Sequence, residues 1–253
     1  MTVPRLYLAQ RLSADADIAL EPDQGRYLAA VLRLKPGDPV KVFNGEDGEW
    51  LAYLTEVSKK RGALRCERRL AEALPPPDLD FLFAPLKHAR LDYMVQKAVE
   101  LGVRRLRPVI TRRTAVERVN VARMRANAIE AAEQCNLVAV PEILEPVKLD
   151  SALAQWDPGR ALVHCDETMP STSPLETLAV LKLPAALLIG PEGGFEADER
   201  ALIAANPAAV AISLGPRIMR ADTAAVAALA LVQAAIGDWR LPTAMRPPMS
   251  PSA

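Results

Sequence analysis

The chain has 253 residues, half of them hydrophobic, with 31 Lys+Arg against 31 Asp+Glu, two histidines and three cysteines. That length allows one large domain or two ordinary ones, each able to bury a core. No apolar run reaches the roughly 18–20 residues of a membrane span, the N-terminus lacks a secretory signal pattern, and Cys66, Cys135 and Cys165 show no metal-ligand spacing. The expectation is a soluble, cytoplasmic protein without metal, its thiols reduced and mostly buried.

The zero net charge hides a division. Residues 82–125 carry 11 Lys+Arg against 3 Asp+Glu, whereas residues 126–253 carry 8 against 15. A basic block of that density suits a polyanion-facing surface. A solvated face that balances acids elsewhere in the fold suits it equally well.

In chain order, the first elements are mostly strands. A helix is expected over Gln24–Leu34, stopping at "KPGD". "PVKVF" (Pro39–Phe43) and "WLAYLTEV" (Trp50–Val57) flank a glycine-containing turn, and "ALRCERRL" (Ala63–Leu70) alternates. This predicts a small β-barrel domain over residues 1–73. "LPPPDLD" (74–80) reads as a stiff linker.

Beyond it the period changes. Strand candidates "LDFLFAPL" (Leu79–Leu86), "RLRPVI" (Arg105–Ile110), "ALVHCD" (Ala161–Asp166), "AALLIG" (Ala185–Gly190) and "VAISLG" (Val210–Gly215) alternate with helix candidates. Alternation of this kind predicts an α/β domain over 81–241 with a mostly parallel sheet. The last residues, 242–253, hold four prolines and little to bury, and a disordered tail is expected.

Two strand-to-helix turns stand out: "LLIGPEGGFEADE" (Leu187–Glu199) and "SLGPRIMRADTAAVAAL" (Ser213–Leu229). Ligands of a parallel sheet bind beyond the carboxyl ends of its strands. Glycine lets backbone approach a ligand closely, so the loops Gly190–Phe195 and Leu214–Arg220 predict a small-molecule pocket. The dinucleotide fingerprint GxGxxG and the phosphate loop GxxxxGK[ST] are both absent. "HCD" (His164–Asp166) looks like a nucleophile cluster, but neighbours on a strand point to opposite faces. Gln134 and Cys135 read as packing or pocket lining. Met94, Met124 and Met219 read as core.

"IGPEGGF" followed by "SLGPRIMRADTAAVAAL" resembles the signature of the SPOUT methyltransferases. "QKAVELGVRRLRPVITRRT" (Gln96–Thr114), "RANAIEAAEQC" (Arg125–Cys135) and the N-terminal "YLAAVLRLKPGDPVKVFNG" extend the likeness to the RsmE family of bacterial 16S ribosomal RNA (uracil-N3) methyltransferases, over about residues 5–240. The resemblance implies a PUA-like barrel, a C-terminal trefoil knot, a homodimer and a substrate in the small ribosomal subunit. It implies S-adenosylmethionine bound by Leu188, Ile189, Gly190, Pro191, Glu192, Gly193 and Gly194, by Leu214, Gly215, Ile218, Met219, Thr223 and Ala224, and by the loop after "HCDE". Two departures are visible: Asn136–Leu137 stand where the family often has arginine, and Asp222 stands where many members have glutamate.

Uracil N3 carries a proton and is a poor nucleophile while neutral. Arg220, with Arg217 as its competitor, is the candidate to steady the uracil anion. The plainer alternative is that either arginine only pairs with Asp222 or Glu192. Glu192, Asp222 and water remain candidates for the proton acceptor, and a carboxylate in that role needs its pKa raised by burial. Arg33, Lys35 and the run Lys59–Arg61 of the barrel, with Lys87, Arg90, Lys97, Arg104, Arg105, Arg112, Arg113, Arg118, Arg123 and Arg125 of the basic block, are the candidates for RNA phosphates. Rival readings are another SPOUT activity, such as ribose 2′-O or transfer RNA methylation, and a non-catalytic ribosome assembly factor.

Overall fold

The computed structural model describes residues 3–240 apart from 59–60, 117, 167 and 170–172, together with all but the side chain of His88. The expected tail, Lys59, Lys60 and Glu167 lie outside the described residues. In chain order the elements are β1 (Arg5–Tyr7), β2 (Asp17–Ala19), α1 (Pro22–Arg26), β3 (Pro39–Asn44), β4 (Gly48–Val57), β5 (Gly62–Ala71), β6 (Leu79–Phe83), α2 (His88–Glu100), β7 (Arg105–Ile110), α3 (Val121–Gln134), β8 (Glu142–Ile143), β9 (Val147–Lys148), α4 (Leu149–Ala154), β10 (Ala161–Cys165), α5 (Pro174–Ala179), β11 (Ala185–Ile189), α6 (Ala197–Ala204), β12 (Ala209–Ile212) and α7 (Ala221–Ile236). The described chain divides into two compact units. The first comprises the residues up to Pro75 together with Ala132–Val140, and the second comprises the rest. The division falls among the three prolines. Leu79, which the linker bound and the expected strand Leu79–Leu86 both included, opens β6.

In the first unit the strands pair in the order β1-β3-β4-β5-β2, with β1 parallel to β3 and the other pairs antiparallel. Alternation sets the faces: Leu64 and Cys66 are buried while Arg65 and Glu67 are exposed. Register shifts at three points between β4 and β5 bend and twist the long pair. The ladder is an open path. Its two ends meet through a side chain, where Gln10 Nε2, just beyond β1, donates to the carbonyl of Ala19 in β2 at 3.2 Å. The β3–β4 turn is made by Asn44, whose Oδ1 accepts from the N–H groups of Glu46 and Asp47. Gly48 has φ +83°, and a Cβ there would lie 2.1 Å from the carbonyl oxygen of Ala71. The expected helix over Gln24–Leu34 is instead the short α1 running into a π-helical turn, Tyr27–Val31. Leu28 of that turn is fully buried in the core formed by Leu6, Leu8, Val40, Val42 and Leu64.

Segment Ala132–Val140 joins this unit through Arg5. Its Nη1 donates to the carbonyls of Ala132 and Glu133, its Nη2 to that of Leu137, and its Nε to Glu49 at 2.6 Å. These carbonyls close the C-terminus of α3. The N–H of Leu137 bonds back to Ala132, and Asn136 takes φ +56°, a left-handed cap that asparagine tolerates. Asn136, a departure from the family pattern, thus has a structural role in ending the helix. The Arg5 side chain is only 6% exposed. We expect Arg5→Ala to destabilise the protein by about 3 kcal/mol, because it strands Glu49 and three carbonyls. Urea unfolding measures this, and a loss below about 1 kcal/mol would show the cap to be dispensable.

In the second unit the strands pair in parallel in the order β12-β10-β11-β6-β7-β8, and β9 also pairs with β7. β6 and β11 are buried at every position, as expected of central strands covered by helices on both faces. Asp80, 1% exposed in the middle of β6, is the polar exception. Arg105 Nε and Arg107 Nη1 reach it at 2.5 and 3.0 Å, and Asp78 takes Arg105 and Arg160 at 2.7 and 3.0 Å. Buried charges require such partners. α2 and α7 pack side by side. Gln233 of α7, fully buried, donates to the carbonyls of Leu101 and Gly102 at the end of α2. Among the described residues no helix is long and apolar enough to cross a membrane.

Candidate functional site

A cavity of about 450 Å³ opens at the carboxyl edge of the second sheet. Three neighbouring strands supply it. The loop after β11 contributes Ile189, Gly190, Pro191, Glu192, Gly194 and Phe195, and the segment after β12 contributes Leu214, Gly215, Arg217, Ile218 and Met219. Between these strands lies β10, which contributes His164, Cys165 and, beyond its end, Asp166 and Thr168. Arg200, Ala201, Ile203 and Ala204 of α6, with Ala221 and Ala224 in the first turn of α7, complete the wall.

The first loop is shaped by close approach. The N–H of Gly194 bonds to the carbonyl of Pro191 at 2.9 Å, with Gly194 at φ +70°. The Phe195 ring tucks beneath Gly190, where a Cβ would lie 2.9 Å from it. Arg113 holds the loop from outside, its Nη1 donating to the carbonyl of Gly193 at 2.5 Å and its Nε to Glu196 at 2.7 Å. At the loop's exit Glu199 accepts from the N–H groups of Glu196 and Arg112. In the second loop Gly215 takes φ +94° with open space around it, and Ile218 is 90% exposed.

Of the residues expected to hold a cofactor, Ile189, Gly190, Pro191, Glu192, Gly194, Leu214, Gly215, Ile218, Met219 and Ala224 line the cavity. Leu188, Gly193 and Thr223 do not. Leu188 is fully buried in the core with Leu82 and Ile203, because strand alternation turns it away from the edge. Met219, expected in the core, lines the cavity, whereas Met94 and Met124 are core. Gln134 and Cys135, expected as packing or pocket lining, are exposed. β10 was expected as the strand Ala161–Asp166, and the loop after "HCDE" was expected at the cofactor; of that region His164, Cys165, Asp166 and Thr168 line the cavity. Burial lowers the pKa of His164 and pushes the Cys165 thiol up to about 12. Burial also acts to raise Asp166, but hydrogen bonds from Thr168 outweigh it and leave the carboxyl below its usual range.

Of the candidate catalytic residues, Glu192 lines the cavity, while Arg220 and Asp222 stand just outside the lining, at the start of α7. Neither Arg217 nor Arg220 forms an ion pair among the described residues, so the plainer pairing reading does not hold. The acids are taken by Arg90. Its Nε and Nη2 grip the two oxygens of Asp222 at 3.1 Å each, and its Nη1 reaches Glu192 Oε1 at 2.9 Å. The hydrogen bonds from Arg90 hold the Asp222 carboxyl below its usual range. That is the opposite of what a proton acceptor near neutrality needs.

The expected RNA cations divide. Arg104 and Arg105 pair with Asp78 and Asp80, Arg112 with Asp198, and Arg113 with Glu196. Only Arg105 is held against a buried acid; Arg104, Arg112 and Arg113 lie in exposed ion pairs, which hold a charge only weakly, so the basic block is partly balanced by acids from elsewhere in the fold. Arg33, Lys35 and Lys87 are exposed and make no ion pair among the described residues.

A family model described as RNA methyltransferase domain matches residues 74–233, and one described as RNA methyltransferase PUA domain matches residues 20–65. The chain is 31% identical over 241 residues to the ribosomal RNA small subunit methyltransferase E of Rickettsia conorii, covering 92% of this chain and 96% of that one. It is 27% identical over 247 residues to the protein of the same name from Buchnera aphidicola, covering 94% and 96%. Among solved structures it is similar to a ribosomal RNA small subunit methyltransferase E from Neisseria gonorrhoeae bound to S-adenosyl methionine. The TM-score is 0.82 at 27% identity, covering 94% of this chain and 100% of that chain.

Proposed function

The chain belongs to the family of the ribosomal RNA small subunit methyltransferases E, and from that premise we propose that it methylates N3 of a uridine in 16S ribosomal RNA, with S-adenosylmethionine as methyl donor. The cavity carries the reading: its volume lies within the roughly 300–1,000 Å³ usual for small-molecule sites, and its walls fit the donor. Ile189, Leu214, Ile218, Met219, Ala221 and Ala224 offer apolar surface for an adenine. The glycine loops offer backbone groups for its polar edge. When bound, the donor supplies an electrophilic methyl carbon; the protein's task is binding, alignment and charge.

Arg220 steadies negative charge on the uracil. It stands at the N-cap position of α7, whose first turn faces the cavity, so that the helix dipole adds to its field. Arg217 sits in the wall beside it. Asp222 is withdrawn as the proton acceptor because Arg90 keeps it ionised and occupied. The role falls to a water or to Glu192, of which Arg90 holds the Oε1 oxygen through a single nitrogen. Arg33, Lys35 and Lys87 stay assigned to RNA phosphates. A trefoil knot around the three loops and a homodimer complete the reading on the strength of family membership.

Arg113 moves from RNA contact to cofactor-loop support. Arg113→Ala is expected to weaken cofactor binding about three- to tenfold, measured by calorimetry. Lost RNA affinity with unchanged cofactor affinity would return it to the phosphate-binding set.

The function is tested by labelled methyl transfer to small ribosomal subunits, naked 16S RNA and transfer RNA from cells lacking this protein, with the product nucleoside identified by mass spectrometry. Labelled 3-methyluridine in subunits is the expected result. A labelled ribose or transfer RNA would overturn the substrate, and cofactor binding without transfer would favour an assembly factor.

A further inference from the structure

Two carboxylates, one from each glycine-loop segment, converge on one guanidinium. Glu192 belongs to the loop after β11, and Asp222 to the first turn of α7 where the segment after β12 ends. Arg90 holds both, using three of its nitrogens. All three side chains are partly shielded, at 34% exposed for Arg90, 42% for Glu192 and 16% for Asp222.

The base of this contact is rigid. Arg90 lies in the first turn of α2 and Asp222 in the first turn of α7. The far ends of the same two helices are tied by buried Gln233, which donates to the carbonyls of Leu101 and Gly102. The helices therefore run parallel and are fastened at both ends. The remaining arm, to Glu192, attaches the first loop to this frame. A planar guanidinium can take one carboxylate with two nitrogens and offer a third to another acid, whereas an ammonium is a point charge on a flexible stem.

We infer that Arg90 is a positioning residue for methyl transfer: it yokes the Gly190–Phe195 loop to the start of α7 and so sets the gap in which cofactor and target base meet. The inference rests on reading the cavity as the cofactor pocket. The yoke has a second effect. By occupying Glu192 and Asp222, Arg90 keeps those acids from pairing with Arg217 and Arg220, whose charges stay available at the mouth.

Hydrogen exchange on the full chain without ligand tests the yoke. Wild type, Arg90→Ala, Arg90→Lys, Glu192→Gln and Asp222→Asn are compared, with amides read across 190–196 and 214–222. Arg90→Ala is expected to speed exchange about tenfold in both segments, Glu192→Gln mainly in the first and Asp222→Asn mainly in the second. Asp222→Asn added to Arg90→Ala should change the second segment no further, as coupled residues behave. Calorimetry with S-adenosylmethionine should show about tenfold weaker binding for Arg90→Ala and an intermediate loss for Arg90→Lys. Unchanged exchange in either segment, an equal rise across the whole unit, or full rescue by lysine would overturn the yoke. A wild-type protein that fails to bind S-adenosylmethionine would overturn the cofactor reading instead, and the ligand-free exchange would still decide the yoke.

Discussion

Arg220→Ala should lower the single-turnover rate of methyl transfer by about 10²–10³-fold, the usual result of deleting one group that stabilises a developing anion. Cofactor affinity should stay within about twofold, since the residue lies outside the cavity lining. A drop in rate alone identifies an interaction made in the transition state. This guanidinium has no ion-pair partner among the described residues, while Arg90 holds Glu192 and Asp222. Arg217→Ala is the parallel measurement. If it lost the rate and Arg220→Ala did not, the charge-stabilising role would belong to Arg217.

The second large effect is expected at Gly190. Even a methyl group there would lie 2.9 Å from the Phe195 ring, and Gly190→Val adds two more carbons. Phe195 is 8% exposed and packs in the core with Leu188 and Ile203, so its ring has little room to retreat. Overpacking of this kind costs about 1–3 kcal/mol of stability. Displacement of Phe195 into the cavity should also weaken cofactor binding by about 100-fold or more. Calorimetry and denaturant unfolding read the two effects separately. Near-native binding by the valine variant would show that the loop adapts and that Gly190 does not shape the pocket.

Both expectations began in the sequence, but the site did not emerge from it whole. The alternation of apolar runs with amphipathic stretches was legible because parallel strands buried on both faces read as continuous apolar segments. The two loops were legible because glycine and proline punctuate strand ends. What could not be read was the sheet order. The loops follow β11 and β12, yet β10 lies between those strands; the family resemblance pointed to the loop after "HCDE", but no spacing in the residues themselves places His164 and Asp166 in the cavity. Leu188 shows the same limit on a smaller scale: adjacency to the loop placed it in the site, and strand alternation turned it into the core.

Charge was the least legible property. The basic block invited a phosphate surface, but Arg105 and Arg107 neutralise Asp80 inside the sheet, Arg123 grips Asp92, and Arg90 serves acids from two distant segments. A composition count registers how many cations a segment carries and is blind to partners that arrive from elsewhere in the chain. The same blindness hid Arg5, whose guanidinium closes a helix end belonging to a different stretch of sequence.

The strand order also dictates when the pocket can exist during synthesis. β6, the first strand of its sheet to leave the ribosome, pairs with β11, Leu79 lying opposite Ala185, and β12 then adds to the outer side of β10. Non-local pairings of this kind meet their loop-closure cost before any contact repays it, and they fold slowly. Ala221 and Ala224 form the last wall, so a nascent chain carries the floor of the cavity long before it can enclose a ligand. Stabilisation by bound cofactor, which acts only on the folded form, therefore reaches this domain only after the start of α7 has been made. Until then the young chain depends on its own core and on whatever folding assistance the cell provides.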